Sequence, residues 1–164
     1  MLSREIRKFI QEPVLARAGW TDESSKLIIY LTGMTETGYS AIMQKGTPAN
    51  GGIGWYQEEP SDYSDMLIWL KNGFNRDLLN RCLNACHFIA IPEDIMTIAE
   101  NSAWATLVCR MHYHRIREPL PPLGKDNTPE LYAQYYKKYY NSVEGDADVS
   151  KVAELCRRII HGEI

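Results

Sequence analysis

The sequence predicts a mainly α protein, a single compact helical domain over residues 1–164 with a central buried helix and a long loop or short hairpin after the second helix. Three observations carry this expectation. Apolar residues recur at three-and-four spacing through most of the chain, which is the signature of helix faces turned to a core. The stretch "SAWATLVC", Ser102 to Cys109, is apolar on every side, as a helix surrounded by other helices must be. Tyr39 to Glu59 has neither period, and its glycines and proline mark a long loop.

Taken in order, Ser3 to Ala18 places Ile6, Phe9, Ile10, Val14 and Leu15 on one face, with Pro13 as an interruption and Gly19 as the stop. Thr21 reads as the next N-cap, with Asp22 and Glu23 in the first turn, and "KLIIYLTGM" continues to a stop at Gly38. After the loop, a helix opens at Pro60 or Ser61. "NRDLLNRCLNACHFIA" follows with Leu78, Leu79, Cys82, Leu83 and Cys86 inward. Pro92 opens one long helix through "SAWATLVC" to Ile116. A proline-rich connector, a tyrosine-rich helix over 130–141 and an amphipathic helix ending at Gly162 complete the chain.

Length and composition set limits. The 164 residues suffice for a core without disulfide or metal, and 45% hydrophobic with 24% charged residues is ordinary for a globular chain. A net charge of −3 provides no field for nucleic acid, so none is expected as a partner. Charges every few residues in "MLSREIRKFIQEPV" leave no signal-peptide core, and no run is long enough to span a bilayer. The expectation is a chain made in the cytoplasm, without membrane insertion. Its four cysteines, Cys82, Cys86, Cys109 and Cys156, lie in helical patterns and read as reduced and buried.

Glu36 is the least ordinary residue. It falls in the last turn of an apolar helix, where unsatisfied carbonyls disfavour a carboxylate, and apolar Leu31, Met34 and Trp55 nearby would raise its pKa further. A protonated carboxyl in a cleft is what a general acid requires. The plain alternative is a helix-end acid turned outward to water. Downstream, "GGIGWYQ" lets the backbone turn tightly at Gly51, Gly52 and Gly54 and presents Trp55, Tyr56 and Gln57, aromatic faces and an amide suited to sugar rings and N-acetyl groups.

The pair "MTETGY" and "GGIGWYQ" resembles the motifs of lytic transglycosylases and goose-type lysozymes, a Glu-Ser pair at a helix end followed by a Gly-Leu-Met-Gln-like turn. The chain is also similar to small phage virion or lysis proteins through Thr32-Gly33-Met34 with Glu36 and Gly38, through "CRMHYHR" from Cys109 to Arg115, and through Tyr139-Tyr140-Asn141. The resemblance implies an α+β lysozyme-like fold and a peptidoglycan-cleaving enzyme of phage origin, acting on the MurNAc-GlcNAc β-1,4 bond. It implies Glu36 as general acid and base, with Thr37, Tyr39, Gly54, Trp55, Tyr56, Gln57, Tyr140 and Asn141 around the substrate and no metal or cofactor. Thr37 stands where the family has serine, and Trp55-Tyr56 where it has Leu-Met. Tyr140-Asn141 is the nearest counterpart of the family's Ala-Tyr-Asn segment.

On this pattern a lytic transglycosylase needs no second carboxylate. A hydrolytic muramidase would draw one from Glu58, Glu59, Asp62 or Asp65, and a non-catalytic virion structural or binding protein would keep the fold alone. The implied partners are peptidoglycan glycan strands and, in a virion, other virion proteins. Delivery to the cell wall would be by a holin-like pore or within the particle.

Other constellations compete. Cys82, Cys86, His87, His112 and His114 could suggest zinc, but Cys-x3-Cys on an amphipathic face reads as packing, and two histidines two apart on a helix diverge. The tyrosines from Tyr132 to Tyr140 read either as a glycan groove or as a packed helix face with hydroxyls at the rim. Arg110, Arg115 and Arg117 could meet substrate carboxylates or the negative pole of a helix.

Overall fold

The first helical run bends around its proline. In the computed structural model, which describes residues 2–40, 51–141 and 145–164, α1 (Leu2–Ile6) passes through one π-helical turn (Arg7–Gln11) into α2 (Glu12–Arg17). Pro13 has no N–H and its ring would press on the carbonyl four residues back. The wider turn, closed by the Glu12 N–H on the Arg7 carbonyl, accommodates it without ending the helix. Gly19, at φ +90°, then reverses the chain.

The next helix, α3 (Glu23–Glu36), is capped by Asp22 rather than Thr21, the Asp22 carboxylate accepting the Ser25 N–H at 2.7 Å. Then come α4 (Pro60–Lys71), with Pro60 in its first turn, and α5 (Arg76–Cys86), which stops earlier than its apolar period suggests because His87 turns left-handed at φ 59°. The long helix expected from Pro92 is two. A short α6 (Met96–Glu100) breaks at Asn101, whose side chain accepts the Trp104 N–H and so starts α7 (Ser102–His114). The chain closes with α8 (Thr128–Tyr139) and α9 (Val149–Ile160), the latter capped by Asp148.

The protein is therefore mainly helical, and among the described residues no strand forms; Ile53 and Glu58 make one isolated antiparallel bridge. Most of the expected long loop, 41–50, lies outside the described residues.

As its sequence demands, α7 is central. It packs against α2, α3, α4, α5 and α6, and Trp104, Thr106, Leu107, Cys109 and Met111 are shut off from water. One buried cluster extends from Ile6 to Ile159, with α8 against α9 and both against α3. All four cysteines are buried and unbridged. No helix among the described residues is long and apolar enough to cross a membrane.

Candidate active site

The end of α3 is fixed by a residue in an unfavourable conformation. After Thr37, both Gly38 (φ 58°) and Tyr39 (φ 60°) are left-handed, which costs a tyrosine energy that its surroundings must offset. The Tyr39 ring is buried, stacked on Tyr30 at 5.8 Å and edge-on to Trp55, and its hydroxyl accepts from Gln11 at 2.5 Å. The ring lies on Gly33: a methyl there would sit 2.3 Å from it. This close approach explains the glycine inside an apolar helix.

Glu36, half-buried in the last turn, accepts a hydrogen bond from Tyr136 of α8 at 2.5 Å on Oε1. Burial raises its pKa above the ordinary carboxylate range, the Tyr136 hydroxyl pulls it back, and the charge of Glu58 pushes it up again. With Oε1 accepting from Tyr136, a proton on the carboxyl would sit on Oε2.

Opposite stands the turn from Ile53 to Glu58. Paired backbone bonds between these two residues (2.9 and 3.0 Å) close it, and the Gln57 N–H reaches the Gly54 carbonyl. Two left-handed residues, Gly54 (φ 75°) and Gln57 (φ 52°), make it tight. A side chain at Gly54 would strike Ile98, and one at Gly52 would strike the Gln57 backbone. Thr37 joins α3 to this turn by donating its hydroxyl to the Trp55 carbonyl at 2.8 Å.

Between the two lies an open cleft of about 510 Å³. Of the residues the sequence nominates, Glu36, Gly52, Gln57, Glu58, Glu59, Asp62, Tyr140 and Asn141 line it, together with His112, Gly145 and Asp146. Gln57 is braced by its amide on the Gly54 carbonyl, and Asn141 Oδ1 accepts from Lys137 and from the Ala147 N–H. Asp65 is exposed on α4 and is not part of the lining.

The other nominated residues build the wall from behind. Tyr39 and Tyr56 are core residues, 4% and 1% exposed, and cannot stack on a sugar as placed. Tyr56 points inward, where its hydroxyl accepts from Gln11 at 2.6 Å and meets Thr106. Trp55 packs edge-on to Tyr39, Gly54 packs on Ile98, and Thr37 spends its hydroxyl on Trp55. Burial is the largest cause of the raised Glu36 pKa, as the sequence leads one to expect, and Tyr136 and Glu58 add effects that the sequence does not show.

Two residues of the site escaped the sequence reading. Tyr136 looked like one member of a packed face, and Tyr132 and Tyr135 are indeed buried there. Its hydroxyl, however, reaches Glu36 across one hundred positions of chain. His112 looked like half of a diverging pair. The pair does diverge: His114 meets Trp20 and Trp69, while His112 faces the cleft, its Nδ1 3.8 Å from Glu58 Oε1. His112 lies in the segment "CRMHYHR", and nothing in the sequence singles out Tyr136 from its neighbouring tyrosines. Arg110 instead goes inward, over the Trp20 ring and bonded to Ser25.

Fold and cleft together define a class: a mainly helical protein with an acid-rich, polar cleft in which one carboxyl has a raised pKa. No protein-family model, curated protein or solved structure matches the chain.

Proposed function

We propose that the protein is a lysozyme-like glycosidase that cleaves the MurNAc-GlcNAc β-1,4 bond of peptidoglycan, with Glu36 as general acid and base, acting as a lytic transglycosylase. The observation that carries this reading is a half-buried Glu36 with a raised pKa, oriented by Tyr136, on a cleft it shares with Gln57. Glu36 donates its proton to the glycosidic oxygen as the C1–O bond breaks, leaving an oxocarbenium-like centre. The surrounding carboxylates favour that developing positive charge. The neighbouring N-acetyl group assists. Glu36, now anionic, takes the proton of the sugar's own 6-hydroxyl as its oxygen bonds to C1, giving a 1,6-anhydro end. Gln57 and Asn141 supply amides of the kind that pair with N-acetyl groups.

A specific observation also favours a second reading, the hydrolytic muramidase. Glu58, Glu59 and Asp62 line the same cleft, and any of them could align a water molecule against the cation. Turbidity of purified peptidoglycan with wild type and Glu36→Gln tests the shared claim, and equal clearing by both proteins sinks the role of Glu36. No clearing by wild type points to a virion structural or binding protein. Product mass divides the two chemistries: anhydro-muramyl ends mean transglycosylase, reducing ends mean hydrolase. In a phage setting the enzyme would act at the bacterial wall, reaching it through a pore or as part of the particle.

A further inference from the structure

Glu58 is the most deeply buried acid of the cleft, 3% exposed, yet its contacts are poor. Its Oε2 lies 3.3 Å from the Tyr140 hydroxyl, which is closer to the Tyr56 carbonyl at 2.7 Å. Its Oε1 has no hydrogen-bond partner, and neither has His112 Nδ1, the atom that faces it at 3.8 Å. The opposite edge of the imidazole settles which tautomer applies. His112 Nε2 is 2.8 Å from the Tyr139 carbonyl, an oxygen that can only accept, so Nε2 carries hydrogen. A neutral ring would then turn a lone pair on Glu58; a protonated ring turns an N–H on it. Only the second arrangement neutralises a carboxylate withdrawn from water.

We propose that His112 and Glu58 form a charge-paired couple in the cleft wall that governs whether Glu36 holds its proton, His112 acting as a positioning residue for the acid. The charged and titratable groups around the imidazole fit this role. Glu58 meets it from the turn, Tyr140 from the end of α8 with ring centroids 4.7 Å apart, and Tyr113 from its own helix. Arg115, the cation just past the end of the same helix, opposes protonation, while Glu36, Asp62 and the exposed Glu59 and Asp146 share the cleft. Burial lowers the His112 pKa, but its contact with Glu58 outweighs that and leaves it raised.

The charge of Glu58 raises the Glu36 pKa, and a cationic His112 beside Glu58 offsets part of that charge. Once His112 is neutral, the charge of Glu58 acts on Glu36 without that offset.

The coupling is a property of the folded chain; its catalytic meaning rests on the glycosidase reading, and the experiment separates the two. Imidazole ¹⁵N and carboxyl ¹³C resonances of the full chain are followed against pH in wild type, Glu58→Gln and His112→Gln, with thermal unfolding showing that each is folded. Glu58→Gln is expected to move the titration midpoints of both His112 and Glu36 to lower pH, and His112→Gln, which removes the offsetting cation, to move that of Glu36 to higher pH. A folded Glu58→Gln that leaves both midpoints in place overturns the proposal, even if His112→Gln fails to fold. The pH profile of peptidoglycan clearing should follow, its alkaline limb moving to lower pH in Glu58→Gln and to higher pH in His112→Gln. A wild type that clears nothing while its midpoints still move retains the couple and sinks the enzyme.

Discussion

The turn from Ile53 to Glu58 has two sides, and they are built in opposite ways. On the inner side Tyr56, with Tyr39 from the end of α3, is sealed in the core, the two hydroxyls sharing the amide of Gln11. On the outer side the very next residues, Gln57 and Glu58, face a cleft in which a carboxylate oxygen and a ring nitrogen have no partner and Glu36 carries a raised pKa. Unpaired buried atoms occur on both sides, Gln11 Oε1 and the Tyr30 hydroxyl within and Glu58 Oε1 and His112 Nδ1 at the cleft, but only the cleft pair couples an acid to an imidazole.

The contrast breaks most sharply at Glu36. On the proposed function, Glu36→Gln should lower peptidoglycan clearing by about 10²–10⁴-fold, the usual contribution of a positioned acid. It should not harm the fold, because the amide oxygen can still accept from Tyr136. A carboxyl whose folded pKa lies above its unfolded value stabilises fully below the unfolded pKa, and that stability is lost as pH rises through the folded one. The wild type should therefore lose stability on going from acidic to neutral pH by more than Glu36→Gln does, as thermal unfolding at several pH values would show.

On the inner side the largest test is Gly33→Ala. In most helix interiors this change gains about 1 kcal/mol. Here the added methyl would lie 2.3 Å from a Tyr39 ring held by Tyr30, Trp55 and Tyr56, so the clash should win at about 1–3 kcal/mol. A chain of this size would show it as a fall in melting temperature of roughly 3–10 °C. A stabilised variant would mean that Tyr39 does not pack on α3 as described.

The two sides differ equally in how far the sequence discloses them. Helix faces, the central position of α7 and the stop at Gly38 follow from spacing and special residues, which are local. Asn101 escaped because its cap is hidden between apolar runs that continue on either side. Glu36 was legible because a carboxyl at a helix end is a local anomaly. Tyr136 and His112 were not, because their roles depend on packing α8 and α7 against segments about a hundred and about fifty positions away. Trp55 and Tyr56 were read as ligand contacts since aromatics beside glycines favour that role. Which of Tyr56 and Gln57 faces the cleft is decided by how the closed turn packs on the core.

Tyr136→Phe sharpens the outer side with a smaller effect of opposite sign to that of Glu58→Gln. Its hydroxyl stabilises the ionised form of Glu36, so its removal raises the Glu36 pKa further. The alkaline limb of the clearing profile should move to higher pH, at a cost in stability of about 1–2 kcal/mol for the lost bond. A limb that moves the other way would detach Tyr136 from the acid.

Thr37 joins the two sides, and it is where the chain departs from the Glu-Ser pair of the motif it resembles. Its hydroxyl gives its hydrogen to the Trp55 carbonyl at 2.8 Å and takes one from the Tyr39 N–H at 3.1 Å, so one atom holds the acid-bearing helix end to the turn. If the hydroxyl is the functional part, Thr37→Ser should alter neither the melting temperature nor clearing. Thr37→Val, the same shape without the bond, should cost about 0.5–1.5 kcal/mol and loosen Gln57 relative to Glu36. If the methyl matters instead, the ranking reverses, with Thr37→Ser the weaker protein. The first ranking would make threonine and serine equivalent here, leaving the hydroxyl bridge as what couples the end of α3 to its turn.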